Sequence, residues 1–349
     1  MIIESVAFGG AGVGRLPDGR ACFVHGTLPG ERAAVNLLRS KKSYAEAEVV
    51  RLLEVSPRRV RPACPVFGTC GGCAYQHADY PLQLEIKTGQ VSSLLQRVGG
   101  FTETEVRPML PSPEQWGYRN RLSVHLHDGR VGFHGRKSHR IIEVSKCPLG
   151  NDVVNARLAE LSAFPPRGAD RMTLRDDSAG VRGFSQVNAG AAEVLSEVVL
   201  GMLDAGGTLL VDAYCGAGFF TKRLRGRFST AVGIEWSESA VRAARVEAID
   251  AESYLAGAVE VHLTTALNMA SAQETALLLD PPAEGLSPDV IRVIQERRPV
   301  DLIYVSCDPA TLSRDLKKLS TAYRLQYVQP VDMFPQTAEI ESVAKLRAL

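Results

Sequence analysis

No uninterrupted apolar run in this 349-residue chain approaches the roughly 20 residues needed to cross a bilayer. The first residues, MIIESVAFGGAGVG, lack the basic stretch and apolar core of an export signal. A cytoplasmic chain with no membrane association is therefore expected, and its seven cysteines are not expected to pair as disulfides. Net charge is scarce too, at +1. The one glycine turn that follows a strand and opens a helix is not G-x-G-x-x-G, and no phosphate-gripping lysine follows it.

What is present begins with a division of charge. Residues 1–150 hold 20 Lys/Arg against 13 Asp/Glu, a balance of +7, and residues 151–349 hold 20 against 26, a balance of −6. Six of the seven histidines also lie in the first part. A basic half joined to an acidic half fits a polyanion-binding region attached to something else; ordinary surface variation fits it as well.

Residues 1–56 read as short alternating strands parted by Gly, Pro and Asp-Gly turns, which favours a small β-barrel. RSKKSY adds a basic loop, as on many nucleic-acid platforms. SPRRVRPACP reads as a linker. YPLQLEIKTGQVSSLLQRVGG spaces Leu82, Ile86, Leu94, Leu95 and Val98 as an amphipathic helix ending at Gly99-Gly100. Residues 116–149 read as antiparallel strands with Asp128-Gly129 as a hairpin turn. From about 186, helices near 189–204, from 219, from 237 and near 287–297 alternate with strands TLLVDAY, TAVGIEW, VEVHL, ALLLD and VDLIYVS. That alternation means a mostly parallel sheet covered on both faces. The expected class is α/β: a Rossmann-like domain over 184–349, an N-terminal barrel over 1–58 and a small central α+β domain over 59–183. The helix near 81–98 is expected to pack on the Rossmann-like domain.

Cys22 sits in a strand and reads as structural. Cys64, Cys70 and Cys73 form a C-x5-C-x2-C run, and Cys147 stands 74 positions further on. Four thiolates hold either a tetrahedral zinc or an iron–sulfur cluster. Three clustered cysteines with one distant partner suit a [4Fe–4S] cluster better than zinc, and Gly71-Gly72 let backbone N–H groups approach inorganic sulfide.

VDAYCGAGFF runs from strand through glycine turn to helix, the place where a cofactor approaches backbone near a helix N-terminus. VGIEW ends the next strand on Glu235, positioned to accept both hydroxyls of a ribose. The pair is the pattern of S-adenosylmethionine-dependent methyltransferases, with a dinucleotide dehydrogenase as competitor. LLLDPPAEGL puts Asp280 before two prolines, where a carboxylate suits a planar amide edge. YVSCDPATLSRDL then places Cys307 at a strand end that Asp308 and Pro309 close. Amino-directed enzymes need no thiol there; one that alkylates a pyrimidine carbon does.

Together these motifs resemble the RNA uracil-5-methyltransferase family over nearly the whole chain. GGAGVGRLPDGRACFVHGTLPGE is similar to a TRAM domain and CPVFGTCGGCAYQH to the family's cluster-binding segment. GYRNRL, FSQVN, DAYCGAG, DPP, YVSCDPATLSRDL and DMFPQTAEIES match its motifs in order. Carrying both the TRAM-like domain and the cysteines is most similar to the bacterial 23S rRNA enzymes. The resemblance implies methylation of carbon 5 of a uridine, with Cys307 as nucleophile at carbon 6 and Glu341 as base. It implies Gln186, Tyr214, Gly216, Gly218, Glu235 and Asp280 at S-adenosyl-L-methionine, and Cys64, Cys70, Cys73 and Cys147 at a [4Fe–4S] cluster. Arg39, Lys41, Lys42, Arg119 and Arg121 are candidates for RNA phosphate, on rRNA ahead of tRNA, and a monomer is expected. Phe219, Ala283, Asp308 and Gln336 depart from the family's usual Asn, Arg, Asn and His. The same chemistry on tRNA, a non-catalytic RNA-binding homologue and a DNA cytosine-5-methyltransferase are the competing readings.

Overall fold

The structure, a computed structural model, describes residues 1–166, 168–177, 186–203 and 206–349. The chain divides into two compact units, one of residues 1–90, 112–176 and 334–339, the other of 91–111, 177–333 and 340–349. Among the described residues no helix is long and apolar enough to cross a membrane.

The first unit opens with β1 (Ile3–Val6), β2 (Ala11–Arg15), β3 (Ala21–His25), β4 (Arg32–Ser40) and β5 (Tyr44–Glu54) in the order β1-β2-β3-β5-β4. The Ile3 N–H donates to the Glu31 carbonyl and the Ala33 N–H to that of Met1, so the first strand meets the last and the sheet closes into a barrel. Alternate residues fill it: Ile3, Cys22, Val24, Ala45 and Ala47 are buried. The segment read as a linker is pinned. Arg59 donates to buried Glu31 at 2.6 and 2.8 Å, and Arg58 forks onto Asp79.

Helix α1 (Tyr80–Leu94) runs into a π-helical turn over Leu95–Gly99, and β6 (Glu105–Val106) belongs to the second unit. Back in the first unit, β7 (Arg121–His127), β8 (Arg130–His134), β9 (Ile141–Glu143) and β10 (Arg171–Arg175) pair antiparallel in the order β10-β7-β8-β9. Asp128 and Gly129 both have positive φ (48° and 73°), as a two-residue hairpin turn requires. Helix α2 (Asp152–Ala163) packs Val154 and Leu158 onto Leu122, Val124 and Leu126.

The second unit continues with α3 (Ala189–Met202), β11 (Leu209–Ala213), α4 (Phe219–Leu224), β12 (Thr230–Glu235), α5 (Glu238–Val246), β13 (Glu252–Ala256) and α6 (Val259–Leu267). It ends with β14 (Thr275–Leu279), α7 (Pro288–Arg297), β15 (Asp301–Ser306), α8 (Pro309–Leu319), β16 (Tyr323–Val331) and β17 (Glu341–Ala348). Its sheet runs β13-β12-β11-β14-β15-β17-β16-β6. Strands β11, β14 and β15 are buried along their whole length, as parallel strands between two helix layers are. The chain leaves β11 toward β12 and β13, then crosses back to β14, so the strand order reverses between β11 and β14. A crevice outside the carboxyl ends of the strands opens at such a reversal.

One expected strand is a helix. VEVHL forms the start of α6, and the strand is the preceding ESYLA. Two β-branched valines suggest a strand, but burial of Val259, Leu263, Ala266 and Leu267 follows the helical spacing, and that face decides.

Candidate active site

In the second unit, β11 delivers Asp212 and then a turn of unusual backbone. Tyr214, Gly216 and Gly218 all have positive φ (69°, 55° and 81°). A Cβ on Gly218 would lie 2.8 Å from the Tyr254 hydroxyl, so glycine is required there twice over. The carboxylate of Glu235, at the end of β12, accepts the Gly216 N–H at 3.1 Å on one oxygen and the Ser237 N–H at 2.8 Å on the other. It is thereby fixed against the glycine turn with lone pairs left for two hydroxyls. Gln186 lies half-buried just before α3, whose first turn Asn188 caps. Phe184 and Ser185 of the same motif lie outside the described residues.

Sequence reasoning missed Asp212. Its Oδ2 accepts the Thr221 hydroxyl at 2.6 Å and the Thr221 N–H at 3.0 Å, tying β11 to α4. Its Oδ1 is buried without a hydrogen-bond partner. Burial, and then the charge of Glu235, push its carboxyl up to about 7. Asp280, one residue past β14, rises to about 7 by burial and then by Asp212. An acid inside an apolar strand was the available signal.

Cys307 follows β15 directly. In the antiparallel pair β15–β17, Ser306 faces Ser342, so the residue after one and the residue before the other, Cys307 and Glu341, come side by side. The sulfur side chain reaches solvent, whereas Glu341 is buried. Burial, then Glu341 and then Asp280 push the Cys307 thiol up to about 12. The resting group is thus a neutral thiol with carboxyl groups nearby. Asp308 caps α8 by accepting the Ala310 and Thr311 N–H groups at 2.9 and 2.7 Å, with Pro309 in the first turn. An asparagine would cap as well, which accounts for that departure. Behind the loop, fully buried Asp315 accepts from Tyr304 at 3.0 Å and from the Leu286 N–H at 2.9 Å, holding the DPPAEGL turn. Phe219 begins α4 with its ring 4.0 Å from the Arg223 guanidinium, and Ala283 is exposed. Nothing in the structure explains why arginine is absent there.

In the first unit, Gln336 has φ 71° and exchanges two amide hydrogen bonds with Gln83. Its replacement of histidine makes a buried structural pair. The four cysteines are free thiols; after burial, the charges of Cys147 and Cys64 act on Cys70, those of Cys147 and Cys70 on Cys73, and that of Cys64 on Cys147. Among the described residues no three His, Cys, Asp or Glu side chains form a group able to hold a metal ion. Around the sulfurs, Gln76 Nε2 donates to Cys73 Sγ at 3.2 Å, the Gly72 N–H to Cys70 Sγ at 3.5 Å, and the Leu149 and Gly150 N–H groups favour a Cys147 thiolate. Arg119 also acts on Cys73 and Cys147, and its buried Nε has no hydrogen-bond partner. Of the phosphate candidates, Arg119 is therefore turned to the cysteines and to Glu339. Arg121 faces Arg175 across β7–β10, and Arg39, Lys41 and Lys42 are exposed on the barrel.

Comparison with known proteins bears on this arrangement. The family model described as tRNA (Uracil-5-)-methyltransferase matches residues 177–348, and the TRAM domain model matches residues 2–50. An uncharacterized RNA methyltransferase of Synechocystis is 32% identical, covering 97% of this chain and 93% of that protein. One of Bdellovibrio bacteriovorus is 34% identical over 99% and 94%. The crystal structure of Pyrococcus abyssi tRNA (uracil-54, C5)-methyltransferase in complex with S-adenosyl-L-homocysteine has the same fold, with a TM-score of 0.71 at 24% identity over 99% of each chain. The chain belongs to the RNA methyltransferases, as a TRAM domain joined to the S-adenosylmethionine-dependent catalytic domain of the tRNA (uracil-5-)-methyltransferase family.

Proposed function

We propose that this enzyme methylates carbon 5 of a uridine in RNA, through transient addition of the Cys307 sulfur to carbon 6. The observation that carries the reading is the β15–β17 register, which sets Cys307 beside Glu341 at the carboxyl edge of the sheet. S-adenosylmethionine fits the donor set, with Glu235 for its ribose and orphaned Asp212 Oδ1 for its ammonium. Gln186, Tyr214, Gly216 and Gly218 complete that site. When bound, the cofactor supplies an electrophilic methyl group.

Carbon 5 of uracil is a poor nucleophile because the ring carbonyls withdraw its electrons. With its thiol pushed up to about 12, Cys307 gives up its proton only as the uracil arrives, to the ionised form of Asp280, which leaves Glu341 free as the later base and returns the proton when the thiolate departs. Formation of the Sγ–C6 bond drives the ring electrons toward the carbonyl and makes carbon 5 electron-rich. Asp280, raised to about 7, is partly protonated at neutral pH and suited to donate a hydrogen bond to the base. After methylation Glu341 removes the carbon-5 proton, the C6–S bond breaks, and the thiolate leaves. Exposing the uridine from stacked RNA costs a few kcal/mol, offset by phosphate contacts at Arg39, Lys41, Lys42 and Arg121.

Cys64, Cys70, Cys73 and Cys147 are assigned to a [4Fe–4S] cluster. A single zinc would draw four sulfurs to about 3.8 Å of one another at a Zn–S distance of about 2.3 Å; cysteine sulfurs that each bind one iron of a cubane from outside stand wider apart. Amide donors and a guanidinium around the thiols suit an anionic cluster. Anaerobically purified protein should be brown with about four irons per chain; stoichiometric zinc instead would refute the assignment. The combination of TRAM domain and cysteines, most similar to the bacterial 23S rRNA enzymes, supports rRNA as substrate, and an RNA substrate of that kind is met in the cytoplasm. Likeness of fold to the P. abyssi enzyme keeps tRNA as a second reading.

The deciding experiment uses RNA carrying 5-fluorouridine, whose fluorine cannot leave as a proton. Wild-type enzyme with cofactor should form a covalent complex, and Cys307→Ala should form none. A wild type that binds RNA and cofactor yet traps nothing, or an undiminished adduct in the variant, defeats the mechanism.

A further inference from the structure

An open cavity of about 370 Å³ lies in the first unit, and none of its lining residues is one assigned above to S-adenosylmethionine or to the methyl transfer. Strands β7 and β8 and the Cys70–Cys73 loop form its walls, through His125, His134, Gly71, Arg136 and Lys137. Its volume falls within the roughly 300–1,000 Å³ usual for small-ligand sites. The His125 and His134 rings stack at 3.5 Å between centroids and 15° between planes. His139 meets His134 edge-on at 5.1 Å. Both stacked imidazoles line the cavity, together with the cations of Arg136 and Lys137.

The surroundings make the cavity a built site. The Gly71 N–H donates to the His134 carbonyl at 3.0 Å, and the Arg136 N–H to that of Thr69 at 3.0 Å. A Cβ on Gly71 would stand 3.2 Å from the His134 carbonyl oxygen, so the cysteine loop approaches β8 closely there. Lys137 has φ 52°, a conformation favoured for glycine. Its ammonium meets Glu46 at 3.2 Å, and Arg39 approaches the same carboxylate at 3.9 Å. One acid thus joins the cavity's rim to the basic edge of the barrel.

We propose that this cavity is a second RNA site, holding one nucleotide of the substrate other than the methylated uridine. Its base stacks on the His125–His134 pair, and its phosphate pairs with Arg136 and Lys137. The inference rests on RNA being the substrate. The cysteine loop thereby serves as one wall of the RNA site.

The test uses full-length protein and a fluorescein-labelled, uridine-containing RNA hairpin, followed by anisotropy across a salt series. Each phosphate contact contributes about 0.7 to the slope of log K against log salt for a single strand, or roughly fivefold in affinity near 0.1 M salt. Arg136→Ala with Lys137→Ala should therefore weaken binding by an order of magnitude or more and flatten the slope by about 1.4. Affinity for S-adenosylhomocysteine should not change. His134→Ala should cost roughly tenfold, and His134→Phe, which keeps a stacking face, should recover most of it. Lys137→Gly guards against misfolding: its backbone suits glycine, so thermal stability should hold or rise while RNA affinity falls. If the folded double variant keeps wild-type affinity and slope while wild type traps 5-fluorouridine RNA, the second site is refuted and the methyltransferase reading stands. If His134→Ala binds as wild type does, the stacking role is refuted. A wild type that binds no RNA overturns both readings.

Discussion

Replacing Asp212 by asparagine should change the pH dependence of stability in a calculable way. In the folded chain this carboxyl is fully buried and pushed up to about 7, first by burial and then by Glu235; unfolded it returns to about 3.9. The folded state disfavours the ionised form and binds more protons than the unfolded state between these values. Stability therefore falls as pH rises through that window and levels off above about 7. At a little over 1 kcal/mol per pH unit, the ionisable group costs on the order of 1–2 kcal/mol near pH 5 and about 4 kcal/mol near pH 8. Asparagine keeps an oxygen to accept from Thr221 and cannot ionise, so whatever fixed cost its amide brings cancels between the two pH values. Asp280, raised first by its own burial and then by Asp212, loses that second cause, which flattens the variant's profile further. Urea unfolding followed by circular dichroism should show the variant gaining about 2–3 kcal/mol on wild type between pH 5 and pH 8. Parallel profiles for the two proteins would refute a carboxyl titrating near neutrality inside this sheet.

Gly218→Ala forces a side chain into positive φ and against Tyr254. It should cost about 1–3 kcal/mol of stability and weaken S-adenosylhomocysteine binding by calorimetry; an unperturbed variant would mean that the turn relaxes freely. Asp308→Ala removes both capping bonds of α8 and should lower stability by about 1 kcal/mol, whereas Asp308→Asn should leave it nearly unchanged. With burial and then Glu341 holding the Cys307 thiol near 12, its alkylation by iodoacetamide should keep accelerating past pH 10. Glu341→Gln should move that rise to lower pH, and a plateau near pH 9 would identify an ordinary thiol.

Much of this protein was legible in the chain. Strands such as TALLL and DLIYVS announce themselves by runs of four apolar residues, and capping pairs such as Ser287-Pro288 and Asp308-Pro309 mark where α7 and α8 begin. These signals are local, carried by residues a few positions apart, and they fixed the alternation of helix and strand, the glycine turn and the thiol at a strand end. Tertiary structure decided what depends on distant partners. VEVHL became a helix because its apolar face found a surface to cover. Asp212 acquired its raised carboxyl because helices close over both faces of β11. Glu341 came to Cys307 because β17 enters antiparallel between β15 and β16, a pairing of residues 34 positions apart that no local preference encodes. Local propensity chooses elements, but register and burial are settled by the free energy of the assembled sheet, and in this protein they make the site.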